Sequence, residues 1–282
     1  YEPQANLLGH NVIRIQTNYE NRWRLTPELL EDAVSKSRSD AQRLMVINYP
    51  GNPDGLTYSN AELEAITVVA RRHNILILSD EIYGLLNFEG QYSSIADFYP
   101  EGTLVTTGLS KWCGAGGWRL GVLLIPETLS TDFKNVLLGI ASETYSCAPS
   151  PIQWAAIKAY ESVESLNQYL SLQQRILKRF GTFAAESLRA AGVRCYDPVG
   201  GFYIMPDFEQ LRGALRENGI ENSQQLCQQI LKDTGQQTRF TADQVIIGSG
   251  SKILLYSVMM AFKKADVFLI TPSVISSSPT PA

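Results

Sequence analysis

Residues 75–83 read Ile75-Leu76-Ile77-Leu78-Ser79-Asp80-Glu81-Ile82-Tyr83. Four aliphatic residues in succession leave no polar face, so a strand here must be covered on both sides, as the strands of a parallel sheet are. The acids that follow stand just past the carboxyl end of that strand, where open α/β sheets bind their ligands. A carboxylate at such a place is partly buried and needs a cationic partner.

The surrounding chain repeats the theme. Residues 11–15 and 43–48 read as strands, and residues 104–107 and 122–125 add two more apolar strands of the same kind. Helices are predicted between them. Thr26-Pro27-Glu28 opens one: Thr caps it, Pro takes the first helical position and Glu faces the positive end of the dipole. Leu29, Leu30, Ala33 and Val34 form its apolar stripe. Ser59-Asn60-Ala61-Glu62 is a capping box that starts a helix running to about Arg72. This alternation predicts an α/β fold, a mostly parallel sheet with helices on both faces. From about residue 151 to 191 the pattern is helical, a long connection into a second unit, and residues 193–203 return to strand and turn signals. The expected organisation is a large domain from residues 1–158 and 235–273, a partial smaller α+β domain over 159–234, and a disordered tail over 274–282, rich in Ser and Pro.

Composition narrows the function classes. The chain has 282 residues, enough to bury a substantial core. Its 28 acidic and 24 basic residues nearly balance, and neither a basic block for nucleic acid nor a polybasic amphipathic run for a membrane surface is present. The longest apolar runs are too short to span a bilayer. The cysteines, at 113, 147, 195 and 227, lack metal-ligand spacing, and with only two histidines no metal site is expected. His73, in a polar run, reads as a solvated helix end. The compartment expected is the cytoplasm.

Chemistry-bearing residues gather just after the strands. Asn48-Tyr49-Pro50-Gly51-Asn52-Pro53-Asp54-Gly55 is a tight turn that sets the Asn52 amide at the sheet edge. Asp80 follows the next strand, and Gly108-Leu109-Ser110-Lys111 the one after, bringing an ammonium to the same region. In Gly114-Ala115-Gly116-Gly117-Trp118-Arg119-Leu120-Gly121 the glycines let an arginine approach an anion closely. Each piece alone reads equally well as structure: an ion pair, a surface charge, a turn. Together a buried acid, an amine, a guanidinium and an amide describe a binding pocket.

The stretch GLSKWCGAGGWRLG (108–121) resembles the pyridoxal-phosphate attachment signature of class I aminotransferases. NYPGNPDGLTY (48–58) resembles that family's Asn-Pro-x-Gly turn, SDEIY (79–83) its cofactor-ring motif and GGFYIMPDF (200–208) its small-domain strand. The resemblance runs in family order almost to Asp233. It implies a class I/II aminotransferase of fold type I, a homodimer that moves an amino group between an amino acid and a 2-oxo acid. Lys111 would form a Schiff base with the pyridoxal 5'-phosphate aldehyde and, once freed, shuttle a proton. Asp80 would pair with the pyridinium nitrogen and make the ring an electron sink. Tyr83 and Asn52 would hydrogen-bond the ring hydroxyl oxygen. Ser110 is a further cofactor residue, and Arg119 would grip the phosphate bidentately.

The order departs from the family. Its phosphate loop normally precedes these motifs, whereas its likeness here is residues 245–252, a strand followed by Gly248-Ser249-Gly250-Ser251-Lys252 and a helix start at 253–262. Backbone amides at Gly250, Ser251 and Lys252 would cradle a phosphate. The strand at 267–270 runs into Thr271-Pro272-Ser273, a phrase that in relatives leads on to one like Tyr1-Glu2-Pro3. Residues from about 234 to 273 therefore look permuted from a place before residue 1. The ring-stacking aromatic has no counterpart, since Val274 and Ile275 stand in its neighbourhood; the family's N-terminal arm and the arginine for the substrate α-carboxylate also lack one, and Arg239 is not given that role. A lyase or an aminocyclopropane-carboxylate-synthase-like enzyme of the same fold, and a catalytically inactive rearranged fragment, stay open as alternatives.

Overall fold

The computed structural model describes residues 1–38, 41–90, 92–161, 163–234 and 266–272. Its sheet has six strands: β1 (Asn11–Thr17), β2 (Arg43–Asn48), β3 (Ile75–Asp80), β4 (Thr103–Gly108), β5 (Gly121–Leu124) and β6 (Asp266–Pro272), in the spatial order β1-β6-β2-β3-β4-β5. All neighbours are parallel except β4 and β5. The expected mostly parallel sheet is therefore found, with one correction. Residues 122–125 do not behave as a strand buried on both faces: β5 is antiparallel and only half covered, with Leu124 exposed.

Alternate residues of β2 explain the layering. Met45 and Ile47 point to one face, where they meet Leu30 and Ala33 of α2 (Pro27–Ser35) and Leu63, Ile66, Val69 and Ala70 of α3 (Asn60–Arg72). Leu44 and Val46 point to the other, against Ala5 of α1 (Glu2–Leu7) and Leu137 of α4 (Thr131–Thr144). Both helix starts form as read: Thr26 Oγ1 accepts from Leu29 N, and the Ser59–Glu62 capping box is complete. Leu29 and Val34 reach the core only partly. His73 is not merely solvated; it ends α3 half-buried, with Nε2 2.8 Å from Glu31 Oε2.

The last strand in the sequence lies inside the sheet. β6 inserts between β1 and β2, with Val267, Phe268 and Leu269 buried. Asp266 sets its register: the buried carboxylate accepts from Asn11 Nδ2 at 3.0 Å and from Arg38 N at 2.9 Å.

Helices α5 (Ser150–Tyr160) and α6 (Glu164–Ala190) occupy the stretch expected to be helical, and α7 (Arg212–Glu217) and α8 (Ser223–Thr234) follow. The small-domain strand expected at 200–208 does not form. That segment is irregular, with isolated bridges Asn87–Gly200 and Arg194–Asp207. Its bridge partners, Asn87 and Arg194, lie outside the named strands, and no ladder forms. The predicted phosphate loop at 245–252, with Gly250, Ser251 and Lys252, the helix at 253–262 and the tail at 274–282 lie outside the described residues.

The turn after β2 is built around Asp54. Peptide bonds 49–50 and 52–53 are cis. The Asp54 carboxylate folds over Gly51, where a Cβ would lie 2.2 Å from it, and accepts from Leu56 N at 2.8 Å. Burial raises the Asp54 carboxyl from its ordinary 3.8 to about 6, against the pull of that hydrogen bond and of Arg24. Because the folded value lies above the unfolded one, the neutral acid favours the fold: the benefit is complete below pH 3.8 and lost as the pH rises through about 6. Keeping the charge buried at pH 8 costs on the order of 3 kcal/mol. Asp54→Asn, which keeps an acceptor for Leu56 N, is expected to stabilise the protein at pH 8 and by much less at pH 4.5; urea midpoints that differ from wild type equally at both pH values would contradict this.

Candidate active site

Parallel pairing puts three strand ends side by side. In the register Asn48 faces Asp80 and Asp80 faces Thr106. Asn48 then ties two of these ends together: its Nδ2 donates to the Asp80 carbonyl at 2.8 Å, and its Oδ1 accepts from Asn52 N at 2.9 Å. Glu81 N donates to Thr106 O at 2.8 Å, locking the next pair. The loops that carry Asn52, Tyr83 and Lys111 therefore leave the sheet from one row.

Asp80 is buried at 5 % exposure. Its carboxylate accepts from Tyr1 Oη at 2.8 Å, and more weakly from Ile82 N and Thr106 Oγ1, both at 3.4 Å. Burial raises its carboxyl above the usual range, opposed by these hydrogen bonds and by the field of Lys111. Lys111 is thus near enough to act on Asp80, yet the two form no ion pair. Its Nζ stands 5.6 Å from the Tyr83 ring centroid and 5.5 Å from that of Phe202. Beneath it Trp112, fully buried with Leu109, Ala115, Leu120 and Ala156, anchors the loop. The close approach of β4 to the chain after Arg119 requires glycine at 108, where a Cβ would lie 2.7 Å from Leu120 O.

Tyr83 is buried, and its hydroxyl lies 2.9 Å from that of Tyr203. Burial is the main cause that raises its phenol well above the ordinary value, followed by the bond to Tyr203, while a hydrogen bond from the Asn52 side chain pulls it down. Ser110 is half-buried in the same loop as Lys111. Arg119 is exposed, sits in the left-handed region at φ 53°, and donates Nη1–H to Gly116 O. A non-glycine residue held there is strained, a condition that clusters at ligand sites. Arg119 also lines a groove of about 650 Å³ with Tyr145, Cys147 and Gln153.

The structure therefore gathers Asn52, Asp80, Tyr83 and Lys111, keeps Ser110 and Arg119 on the flanking loop, and leaves Gly250, Ser251 and Lys252 outside the described residues. Three neighbours escaped the sequence reading: Tyr1 and Thr106 on Asp80, and Tyr203 on Tyr83. Thr106 follows from the register once β3 and β4 are paired, whereas Tyr1 lies 79 positions from its acid and gives no local signal. Glu81 takes no part. It sits on the other side, where Oε1 accepts from Ser79 Oγ at 2.9 Å and Ser94 Oγ at 2.7 Å. No cluster of metal ligands occurs among the described residues, and no described helix is long and apolar enough to cross a membrane.

These residues fit pyridoxal phosphate. A deeply buried carboxyl whose charge burial disfavours, and which has no ion-pair partner among the described residues, suits a pyridinium N–H; the adjacent amine suits an aldehyde, and the phenol and amide suit a ring hydroxyl. The profile of the family described as Aminotransferase class I and II matches residues 1–236. The chain is 32% identical over 209 residues to a probable N-acetyl-LL-diaminopimelate aminotransferase of Bacillus subtilis, covering 74% of this chain and 50% of that protein. It is 32% identical over 240 residues to an asparagine–oxo-acid transaminase of Streptococcus mutans, covering 83% and 58%. It spans about half the length of such curated relatives. The aromatic aminotransferase structure from Pyrococcus horikoshii shares its fold, with a TM-score of 0.68 at 22% identity over 92% of this chain and 75% of that one. By a profile that spans most of its length, the chain belongs to the class I and II aminotransferases, a pyridoxal-phosphate-dependent family.

Proposed function

We propose that this protein binds pyridoxal 5'-phosphate and moves an amino group between an amino acid and a 2-oxo acid. The observation that carries the reading is the placement of buried Asp80 within the field of Lys111 on adjacent strand ends. When bound, the cofactor supplies an electron sink for charge developing at the substrate's Cα. The chain's own residues do the rest. Asp80 holds a proton on the ring nitrogen by offering a charge in a low-dielectric place, with Tyr1 and Thr106 fixing its orientation. Lys111 would hold the cofactor through its aldehyde, and its Nζ is the group that would carry a proton. Tyr83 and Asn52 orient the ring oxygen. Arg119 and Ser110 would hold the phosphate; Gly250, Ser251 and Lys252, whose amides the sequence suggests for the same task, lie outside the described residues.

The same reading includes a large cofactor unit from residues 1–158 with 235–273 and a partial small unit over 159–234. The insertion of β6 between β1 and β2 supports a permuted order of family segments, since chain order matters less than which strands meet. A homodimer is the assembly we propose. Trp154, Phe180, Phe183 and Leu138 are each more than 60% exposed, an apolar display that a second copy would cover. The cytoplasm suits cysteines that are all free.

Protein incubated with pyridoxal phosphate should gain a near-visible absorption band that Lys111→Ala abolishes; an unchanged band in the variant would refute the lysine assignment. Asp80→Asn should retain the cofactor but slow the half-reaction with amino acids by about a hundredfold or more, and undiminished turnover would remove Asp80 from its role. Light scattering at micromolar concentration should give twice the chain mass, and a monomer would contradict the proposed dimer.

A further inference from the structure

We propose that Tyr203 is a positioning residue: its hydroxyl holds the Tyr83 hydroxyl in place for the ring oxygen of the cofactor. The inference rests on the reading that this site binds pyridoxal phosphate. The two hydroxyl oxygens are 2.9 Å apart, and the rings stand nearly perpendicular, 88° with centroids 5.5 Å apart. Tyr203 comes from a segment 120 positions away, yet that segment is stapled to both cofactor loops. Val199 N and Gly200 N donate to Gly55 O at 2.8 and 3.1 Å, beside Asn52. Gly201 N donates to Leu86 O at 3.0 Å, and Phe88 N donates to Val199 O at 2.8 Å, beside Tyr83. The approach depends on glycine: a Cβ at Gly55 would lie 2.4 Å from Tyr203 O, and one at Gly200 would lie 2.5 Å from Pro50 Cγ. So many backbone bonds on an irregular segment fix one outcome, the place of the Tyr203 hydroxyl.

A phenol has one proton to give and can accept others. The Asn52 side chain donates to the Tyr83 oxygen. While Tyr83 donates to Tyr203 that bond raises its phenol; once Tyr83 gives its proton to a ligand oxygen instead, Tyr203 must turn and donate to Tyr83, since both oxygens cannot donate along one line. A phenol that accepts from two donors is itself a stronger donor, because the negative charge it gains on giving up its proton is better stabilised. Tyr203 therefore strengthens the hydrogen bond that Tyr83 makes to negative charge on the ring oxygen.

The test is a pH titration of the lysine-dependent absorption band of the holoenzyme. Tyr203→Phe removes one oxygen and keeps the ring. Its band should titrate about half a pH unit or more above wild type, and in a Tyr83→Phe background the same change should add no further shift. A wild-type midpoint in Tyr203→Phe, or an equal shift with and without the Tyr83 hydroxyl, would overturn the proposal even though the band is intact. Should Tyr203→Phe fail to fold, 3-fluorotyrosine placed at 203 keeps the shape and is a better donor. It should move the midpoint down, and no movement or an upward one would count against the role. If wild type gains no band that Lys111→Ala removes, the cofactor reading itself falls and this inference falls with it.

Discussion

Asp80 is an ionisable group taken out of water at the end of a strand that has no polar face of its own. Water cannot solvate it there, and the strands beside it supply only backbone and hydroxyl partners. Everything around it is arranged to make that burial tolerable: a phenol from Tyr1, a hydroxyl from Thr106, a backbone amide from Ile82 and the field of Lys111. None of these neutralises the charge, so the carboxyl is still raised by burial. A buried carboxyl held in this way suits a ligand that brings its own positive N–H, as the proposed function requires.

The same constraint sets the geometry of the rest of the site. Parallel register brings Asn48, Asp80 and Thr106 into one row, and from there each loop leaves in the same direction. What the sheet does not determine, backbone hydrogen bonds and glycines do. Gly108 lets the Lys111 loop lie against Leu120, and Gly55 and Gly200 let residues 199–203 lie against two loops at once. A side chain at Gly108 or Gly55 would meet backbone oxygen, and one at Gly200 would meet the rigid Pro50 ring, so none could be accommodated by a flexible neighbour. The resulting geometry is that of a scaffold whose site side chains are held by a second layer of contacts.

Much of this was legible from local pattern. Continuous apolar runs marked β2 and β3, Thr26-Pro27-Glu28 and Ser59–Glu62 marked two helix starts, residues after strands marked Asn52, Asp80 and Lys111, and the family resemblance added Tyr83. What was not legible depends on contacts between distant segments. The antiparallel run of β5 follows from the tight return after Arg119, not from its composition. Residues 200–208 carry strand-forming side chains, but their partners are loops, so a bridge forms without a ladder. His73 looked solvated because Glu31, 42 positions away, is invisible to a window of sequence. Tyr1 and Tyr203 were missed for the same reason, and both reach the site with a hydroxyl.

The place of β6 shows which of these signals carry between segments. Its apolar run was readable as a strand, but nothing local says that it belongs between β1 and β2. That position follows from two requirements met together. Its side chains must be covered on both faces, which disfavours an edge, and the acid at its start needs donors, which Asn11 of β1 and the backbone N–H of Arg38, in the loop before β2, supply. An edge position would leave Phe268 half in water, at a cost of roughly 1–2 kcal/mol, and would leave the Asp266 carboxylate without one set of donors. A strand so specified can arrive from either end of the chain, because the slot recognises its surface and its first residue, not the connection that delivers it.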